Sequence, residues 1–251
     1  MSLTKSTSPQ APATDLKNTA LILAWPGNKG GDRGKLISLI KERFGLGVVC
    51  PWSASGQDKD LYPVLPKNIT RIIILPIFMC RGFTLRTILP GLIENFQENT
   101  TSRINCLQPI SQHTELADMV AKRATICADK NGISSRDAHL ILVAHGSEKH
   151  PESAQSAQQM AQYIRSRNIF TSVNESYLEQ VPTPETIITD LQGPVIAEGL
   201  FLTPGRHFSE DFPAALTRSK RSVLIPAEGG LSTDPMFNNM VCDVLERVIR
   251  A

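Results

Sequence analysis

At 251 residues, with 41% hydrophobic and 20% charged side chains, the chain carries enough apolar material for a full buried core, which excludes disorder along its whole length. Its 26 basic residues stand against 24 acidic ones, a formal net charge of +2, so it lacks the global excess that accompanies nucleic-acid binding, and any electrostatic steering must be local. The 5 cysteines, Cys50, Cys80, Cys106, Cys127 and Cys242, are scattered, odd in number and never spaced as a CxxC pair, which points to a reduced, cytoplasmic setting.

Residues 1–17 are rich in Ser, Thr, Pro and Ala and lack the apolar stretch of a signal peptide, so a disordered N-terminal arm is expected. From there short apolar runs alternate with amphipathic stretches. The pattern predicts strands at residues 20–24, 48–50, 72–78, 104–107, 140–144, 171–177, 195–202 and 223–225, and helices at 35–44, 85–96, 115–128, 153–165, 212–218 and 236–249. Continuously apolar strands separated by helices imply parallel sheets covered on both faces, an α/β fold. No run approaches the ~18 apolar residues needed to span a bilayer, so no membrane partner is expected.

The two halves of the chain repeat one another. Leu21-Ile22-Leu23 before Gly27 reads like Leu140-Ile141-Leu142 before Gly146, an offset of 146 − 27 = 119, and Phe78, Gly82 and Pro90 line up with Phe201, Gly205 and Pro213 at an offset of 205 − 82 = 123. Two ordered matches with nearly equal offsets imply a duplication with a boundary at residues 131–136. An N-terminal half over 18–131 and a C-terminal half over 137–251 are therefore expected to face each other across a cleft.

The C-terminal half holds the polar set. His145 follows the strand at 140–144 and His207 follows the strand at 195–202, both at the carboxyl edge where ligands of parallel sheets bind. Two imidazoles brought to one edge can share a divalent ion such as Fe, Co, Ni or Zn. Glu179, at the end of the intervening strand, can complete the metal shell or accept a proton, whereas Glu175 lies further back. The repeat is an internal control: Pro26 and Thr84 occupy the positions of His145 and His207, and residues 52–57 carry no Glu. His113, His139 and His150 are read as surface or core residues, and Asp211 as a residue favouring a helix N-terminus.

These motifs, namely His145-Gly146-Ser147, Tyr177-Leu178-Glu179 before a proline, and Leu200-Phe201-Leu202-Thr203-Pro204-Gly205-Arg206-His207 with Asp211 and Pro213, resemble the sirohydrochlorin cobaltochelatase and ferrochelatase family, the class II chelatases. The resemblance runs from about residue 138 to 213 and is a degenerate echo in the N-terminal half. It implies two flavodoxin-like halves in one chain, with a tetrapyrrole and a divalent metal (Co²⁺, Fe²⁺ or Ni²⁺) as partners and substrates, and with no organic cofactor or ATP. It carries metal binding and catalysis to His145, His207 and Glu179. A carboxylate-rich ring also needs cations around the cleft, for which Arg206, Lys149, Arg81 and Arg86 are the candidates, with Ser147 as a further substrate contact. A fused duplication can satisfy its own interface, so a monomer is expected.

Two other readings compete. An α/β hydrolase needs a G-x-S-x-G elbow, which is absent, and the loop at residues 28–32 matches neither GxGxxG nor a P-loop. A non-catalytic metal- or tetrapyrrole-binding protein that kept the cleft is the alternative from outside enzymology.

Overall fold

The structure, a computed structural model, describes residues 16–27, 33–53, 63–147, 151–226 and 229–250. Residues 1–15 of the expected arm, the loop at 28–32, Lys149 and His150 lie outside the described residues. Leu16 and Lys17 depart from the expected disorder. They enter a short 3₁₀ turn, Leu16–Asn18, because Leu16 packs against the core and its carbonyl accepts the Gly47 N–H at 2.9 Å.

The N-terminal half runs β1 (Thr19–Trp25), α1 (Arg33–Phe44), β2 (Val48–Ser53), β3 (Arg71–Pro76), α2 (Leu89–Asn99), β4 (Arg103–Cys106) and α3 (Thr114–Lys130). The C-terminal half runs β5 (His139–Ala144), α4 (Glu152–Ser166), β6 (Ser172–Tyr177), α5 (Pro184–Asp190), β7 (Val195–Gly199), α6 (Phe212–Thr217) and α7 (Pro235–Arg250). The first sheet has the order β2-β1-β3-β4 and the second β6-β5-β7, all parallel. The order in each sheet places the first strand of the half in the interior, where it is covered on both faces and reads as an unbroken apolar run.

Three expectations change. The strand expected at 223–225 shrinks to a single bridge, Ile196 to Leu224, held by Ala197 N–H to Leu224 O at 2.8 Å and Leu224 N–H to Val195 O at 2.9 Å. The strands expected at 72–78 and 195–202 stop at Pro76 and Gly199, since the chain then turns to build the cleft loops. Helix α5 went unforeseen. Its start is nevertheless written in the sequence, with Pro184 in its first turn and the Thr183 hydroxyl accepting the Thr186 N–H at 3.3 Å.

The duplication extends to unusual local geometry. A π turn, Thr84–Ile88, leads into α2, and a second, His207–Asp211, leads into α6. Each hangs on one glycine carbonyl: Gly82 O accepts from Leu85 and Arg86, and Gly205 O from Phe208 and Ser209. Helix α2 has Pro90, and α6 Pro213, in the first turn.

The two halves share a core. One buried cluster joins Leu21, Leu23 and Trp25 of β1 to Leu140, Leu142 and Ala144 of β5 through α1, α3, α4 and α7. Separate clusters cover the outer sheet faces under α2 on one side and α5 and α6 on the other. The last helix of each half reaches across to the other half: Arg123 of α3 forks onto Glu198 of β7 at 3.0 and 3.2 Å, while Trp25 of β1 packs on Phe237 of α7 with ring centroids 6.2 Å apart. Removing either half would strip the other of a covering helix. Among the described residues no helix is long and apolar enough to cross a membrane.

Candidate metal centre and ring cleft

The residue after β5 is His145, and the next is Gly146 at φ +74°. Gly146 has no room for a side chain, because a Cβ there would lie 2.7 Å from Tyr177 Cβ and 2.8 Å from Gln180 Cγ. This turn lets the His145 carbonyl accept the N–H groups of Leu178 at 3.1 Å and Glu179 at 2.9 Å, so the ends of β5 and β6 are laced together. Gln180 continues the lacing by accepting the Ser147 N–H at 2.7 Å. Beyond β7 the chain passes through Thr203 and Gly205 to His207 at the head of the second π turn.

The two histidines meet. His145 Nε2 lies 3.2 Å from His207 Nε2, with the rings nearly perpendicular at 82°. The other nitrogen of each ring already has an oxygen acceptor: His145 Nδ1 is 2.7 Å from Gly146 O, and His207 Nδ1 is 2.8 Å from Asp211 Oδ2. These acceptors assign the proton of each neutral ring to Nδ1, which leaves two Nε2 lone pairs facing each other. Facing lone pairs repel unless a proton or a cation lies between them. With metal–nitrogen bonds of about 2.1 Å, two nitrogens this far apart subtend roughly 100° at a shared ion, an ordinary angle between neighbouring ligands.

Glu179 stands behind His145. Its Oε2 is 3.5 Å from Nδ1, the nitrogen turned away from His207. Among the described residues, no three His, Cys, Asp or Glu side chains are grouped so as to hold a metal ion, so the side chains as placed provide a two-imidazole site with a carboxylate beside it.

The pair opens onto a cleft of about 310 Å³ between the halves. Its walls are Pro26, Phe78, Met79, Phe83 and Thr84 from the N-terminal half and Leu200, Phe201, Leu202 and Phe208 from the C-terminal half, with both histidines at the edge. Phe83 is 67% exposed there, a large apolar side chain left open to solvent at the mouth of an apolar cleft. By the repeat offset it occupies the position of Arg206, since 206 − 123 = 83. On its other side His207 borders a polar hollow lined by Glu179, Arg206, Asp211 and Arg218.

The expected cations are placed unevenly. Arg206 is well exposed and pairs loosely with Glu210 at 3.4 Å. Arg86 is engaged across the cleft with Glu152 at 2.6 Å, and Arg81 donates to Gln108. Arg86 and Arg81 thus each have a protein partner, and both remain exposed. His139 is held by Ser172 and Gln192 O, and His113 by Gln108 O, with burial lowering the His113 pKa.

Sequence reasoning missed the contact of Asp211 with His207, whose spacing of four residues was the available signal, and the buried Arg123–Glu198–Asp234 group. A lone Glu inside the apolar run at 195–202 was the signal for the latter. Glu198 is 1% exposed, and burial raises its pKa to about 7 against the lowering pull of Arg123.

The CbiX family model matches this chain twice, over residues 36–126 and 139–248, once in each half. The chain is 20% identical over 184 residues to a probable sirohydrochlorin cobaltochelatase of Halobacterium salinarum, an alignment that takes in 64% of this chain and spans 62% of the length of that relative. Its fold is similar to that of CbiX, described as the terminal enzyme of sirohaem biosynthesis in denitrifying bacteria, with a TM-score of 0.67 at 19% identity over 91% of this chain and 98% of that one. It is also similar to that of SirB from Bacillus subtilis with Fe³⁺, with a TM-score of 0.71 at 14% identity over 93% of this chain and 96% of that one.

Proposed function

Because the chain belongs to the CbiX family, we propose that it inserts a divalent metal, Co²⁺ or Fe²⁺, into sirohydrochlorin, acting as a cytoplasmic monomer. The observation that carries this reading is the pair of Nε2 atoms converging at 3.2 Å on the rim of an apolar cleft between two sheets. The names of the relatives, a sirohydrochlorin cobaltochelatase and a sirohaem-forming enzyme, support the substrate class.

The chemistry follows from the side chains. The apolar face of the macrocycle lies in the cleft against the aromatic and aliphatic walls, while the ion is held at the histidine edge. His145 and His207 take the place of two of its waters, and the remaining sites are free to meet pyrrole nitrogens. As the ion passes to the ring, two pyrrole N–H protons leave and the metal keeps its 2+ charge, so no redox partner is needed. Glu179, exposed beside His145, accepts one proton; the imidazoles freed of metal and the solvent take the other. The ring's carboxylates are met by Arg206, whose side chain is 77% exposed, and by Lys149 and Ser147, which follow β5 in the sequence.

Purified protein is mixed anaerobically with sirohydrochlorin and Co²⁺ or Fe²⁺, and the visible spectrum of the ring is followed against His145→Ala and His207→Ala. Acceleration abolished by both substitutions without loss of folding is expected, and the faster ion identifies the metal. Ring binding with no acceleration over the spontaneous rate, for either metal, would replace this reading with that of a non-catalytic tetrapyrrole-binding protein.

A further inference from the structure

Asp211 sits at the N-cap position of α6, yet its side chain makes no capping hydrogen bond. Its carboxylate turns to His207 Nδ1 at 2.8 Å, four residues back and on the same side of the helical turn. His145 differs: its Nδ1 meets a neutral backbone carbonyl at 2.7 Å, with the Glu179 carboxylate further off at 3.5 Å. The duplication supplies a control. The same offset that relates His207 to Thr84 relates Asp211 to Ile88, so the N-terminal π turn keeps its shape while losing both the imidazole and its carboxylate together.

We propose that Asp211 is a positioning residue, which fixes the Nδ1–H tautomer of His207, aims its Nε2 at the point shared with His145, and makes His207 the stronger donor of the two. Resting on the two-histidine metal site proposed above, the inference goes beyond it by assigning unequal roles to the pair. A carboxylate accepting from the far nitrogen of a metal-binding imidazole raises the basicity of that imidazole and holds the ring's orientation, and loss of such a partner lowers metal affinity about 10- to 100-fold. A capping role predicts otherwise, because Asn caps a helix as well as Asp.

The test uses the full chain with Co²⁺ as the probe. Co²⁺ binding is followed by its ligand-field spectrum and by titration calorimetry in the wild type, Asp211→Asn, Asp211→Glu and Asp211→Ala. In parallel, the ring-nitrogen chemical shifts of His207 are read in the metal-free proteins by ¹⁵N NMR, and thermal unfolding confirms that each variant is folded. The expected result is a roughly 10- to 100-fold weaker Co²⁺ affinity in Asp211→Asn and Asp211→Ala. His207 should shift toward the other tautomer, Asp211→Glu should recover part of the affinity, and sirohydrochlorin binding in the absence of metal should stay unchanged. An Asp211→Asn variant that binds Co²⁺ within twofold of the wild type and keeps the wild-type ¹⁵N signature overturns the proposal. Wild-type protein that binds Co²⁺ through the histidines but fails to metallate the ring overturns the chelatase reading and leaves the Asp211 comparison standing on its own result.

Discussion

Arg123 and Glu198 offer a perturbation whose sign depends on whether one partner or both are removed. The guanidinium forks onto the carboxylate at 3.0 and 3.2 Å and reaches Asp234 at 2.7 Å, with the Arg123 and Glu198 side chains only 2% exposed. In the N-terminal half the repeat puts Leu75 at the position of Glu198, and the helix offset of 235 − 114 = 121 puts Val244 at the position of Arg123. Both are fully buried, so the same frame tolerates an apolar pair. Arg123→Val alone leaves a buried carboxylate without its cation and costs about 3–5 kcal/mol; Glu198→Leu alone strands most of the guanidinium and costs about as much. Arg123→Val with Glu198→Leu removes both charges, leaving Asp234 its bond from the Met236 N–H, and is expected within ~2 kcal/mol of the wild type. Urea unfolding of the four proteins at pH 8 closes the double-mutant cycle. Costs that add to within ~0.5 kcal/mol would refute the reasoning, since independent sites add and a coupled buried pair cannot. The pH dependence has a definite sign. The Glu198 carboxyl is raised in the folded state from 4.5 to about 7, so between those values the folded protein holds a proton that the unfolded chain has released. Its contribution is therefore fully present below about pH 4.5 and declines as pH rises to about 7, by on the order of 3 kcal/mol. Glu198→Leu should flatten that limb of the stability–pH curve.

Two further substitutions separate the turn from the cleft. Gly146→Ala forces a Cβ into Tyr177 and a side chain onto φ +74°; a loss of about 2–4 kcal/mol by denaturant unfolding is expected, with Co²⁺ binding weakened because His145 moves, and unchanged Co²⁺ affinity would count against the turn's role in aiming that ring. Phe83→Ala removes an exposed apolar side chain from the cleft mouth, so sirohydrochlorin affinity should fall about 5- to 10-fold while Co²⁺ affinity and stability stay as in the wild type; equal ring affinity by fluorescence titration would show that the N-terminal lip does not touch the ring.

The α/β class and the pairing of halves were legible because the interior strands are covered on both faces, which turns each into an apolar run between amphipathic helices. His145 and His207 were legible because strand ends in parallel sheets are where loops converge, and because Pro26 and Thr84 show the same loops without imidazoles. What stayed hidden depends on distance along the chain. Arg123 and Glu198 are 75 residues apart, and Arg86 and Glu152 come from different halves, so no periodicity relates them. The π turns were hidden for another reason: one extra residue per turn leaves the apolar spacing of residues 85–96 close to that of an ordinary helix. Glu179 was rightly placed at the end of β6 by its strand, yet which imidazole nitrogen it faces depends on the Gly146 turn, which a sequence pattern does not give.

The duplication explains why one half can specialise. Each half supplies a π turn at the cleft, and the two turns face each other: Gly82, Phe83 and Thr84 on one wall, Gly205 and His207 on the other. Because α3 and α7 are exchanged across a single core, the relative position of these walls is set by buried side chains and not by a linker. The N-terminal turn can therefore lose its imidazole and its carboxylate without loosening the cleft, since neither holds the halves together. The C-terminal turn cannot exchange its residues so freely, because His207 must meet His145 to within a few tenths of an ångström for both nitrogens to bind one ion. An apolar wall tolerates substitutions of similar volume, whereas a pair of ligands tolerates almost none. Placing a histidine at Thr84 should consequently create no second metal site, because Pro26 occupies the place of its partner and Ile88 the place of its carboxylate. A second Co²⁺ bound by Thr84→His alone would show that a single imidazole on this frame is enough.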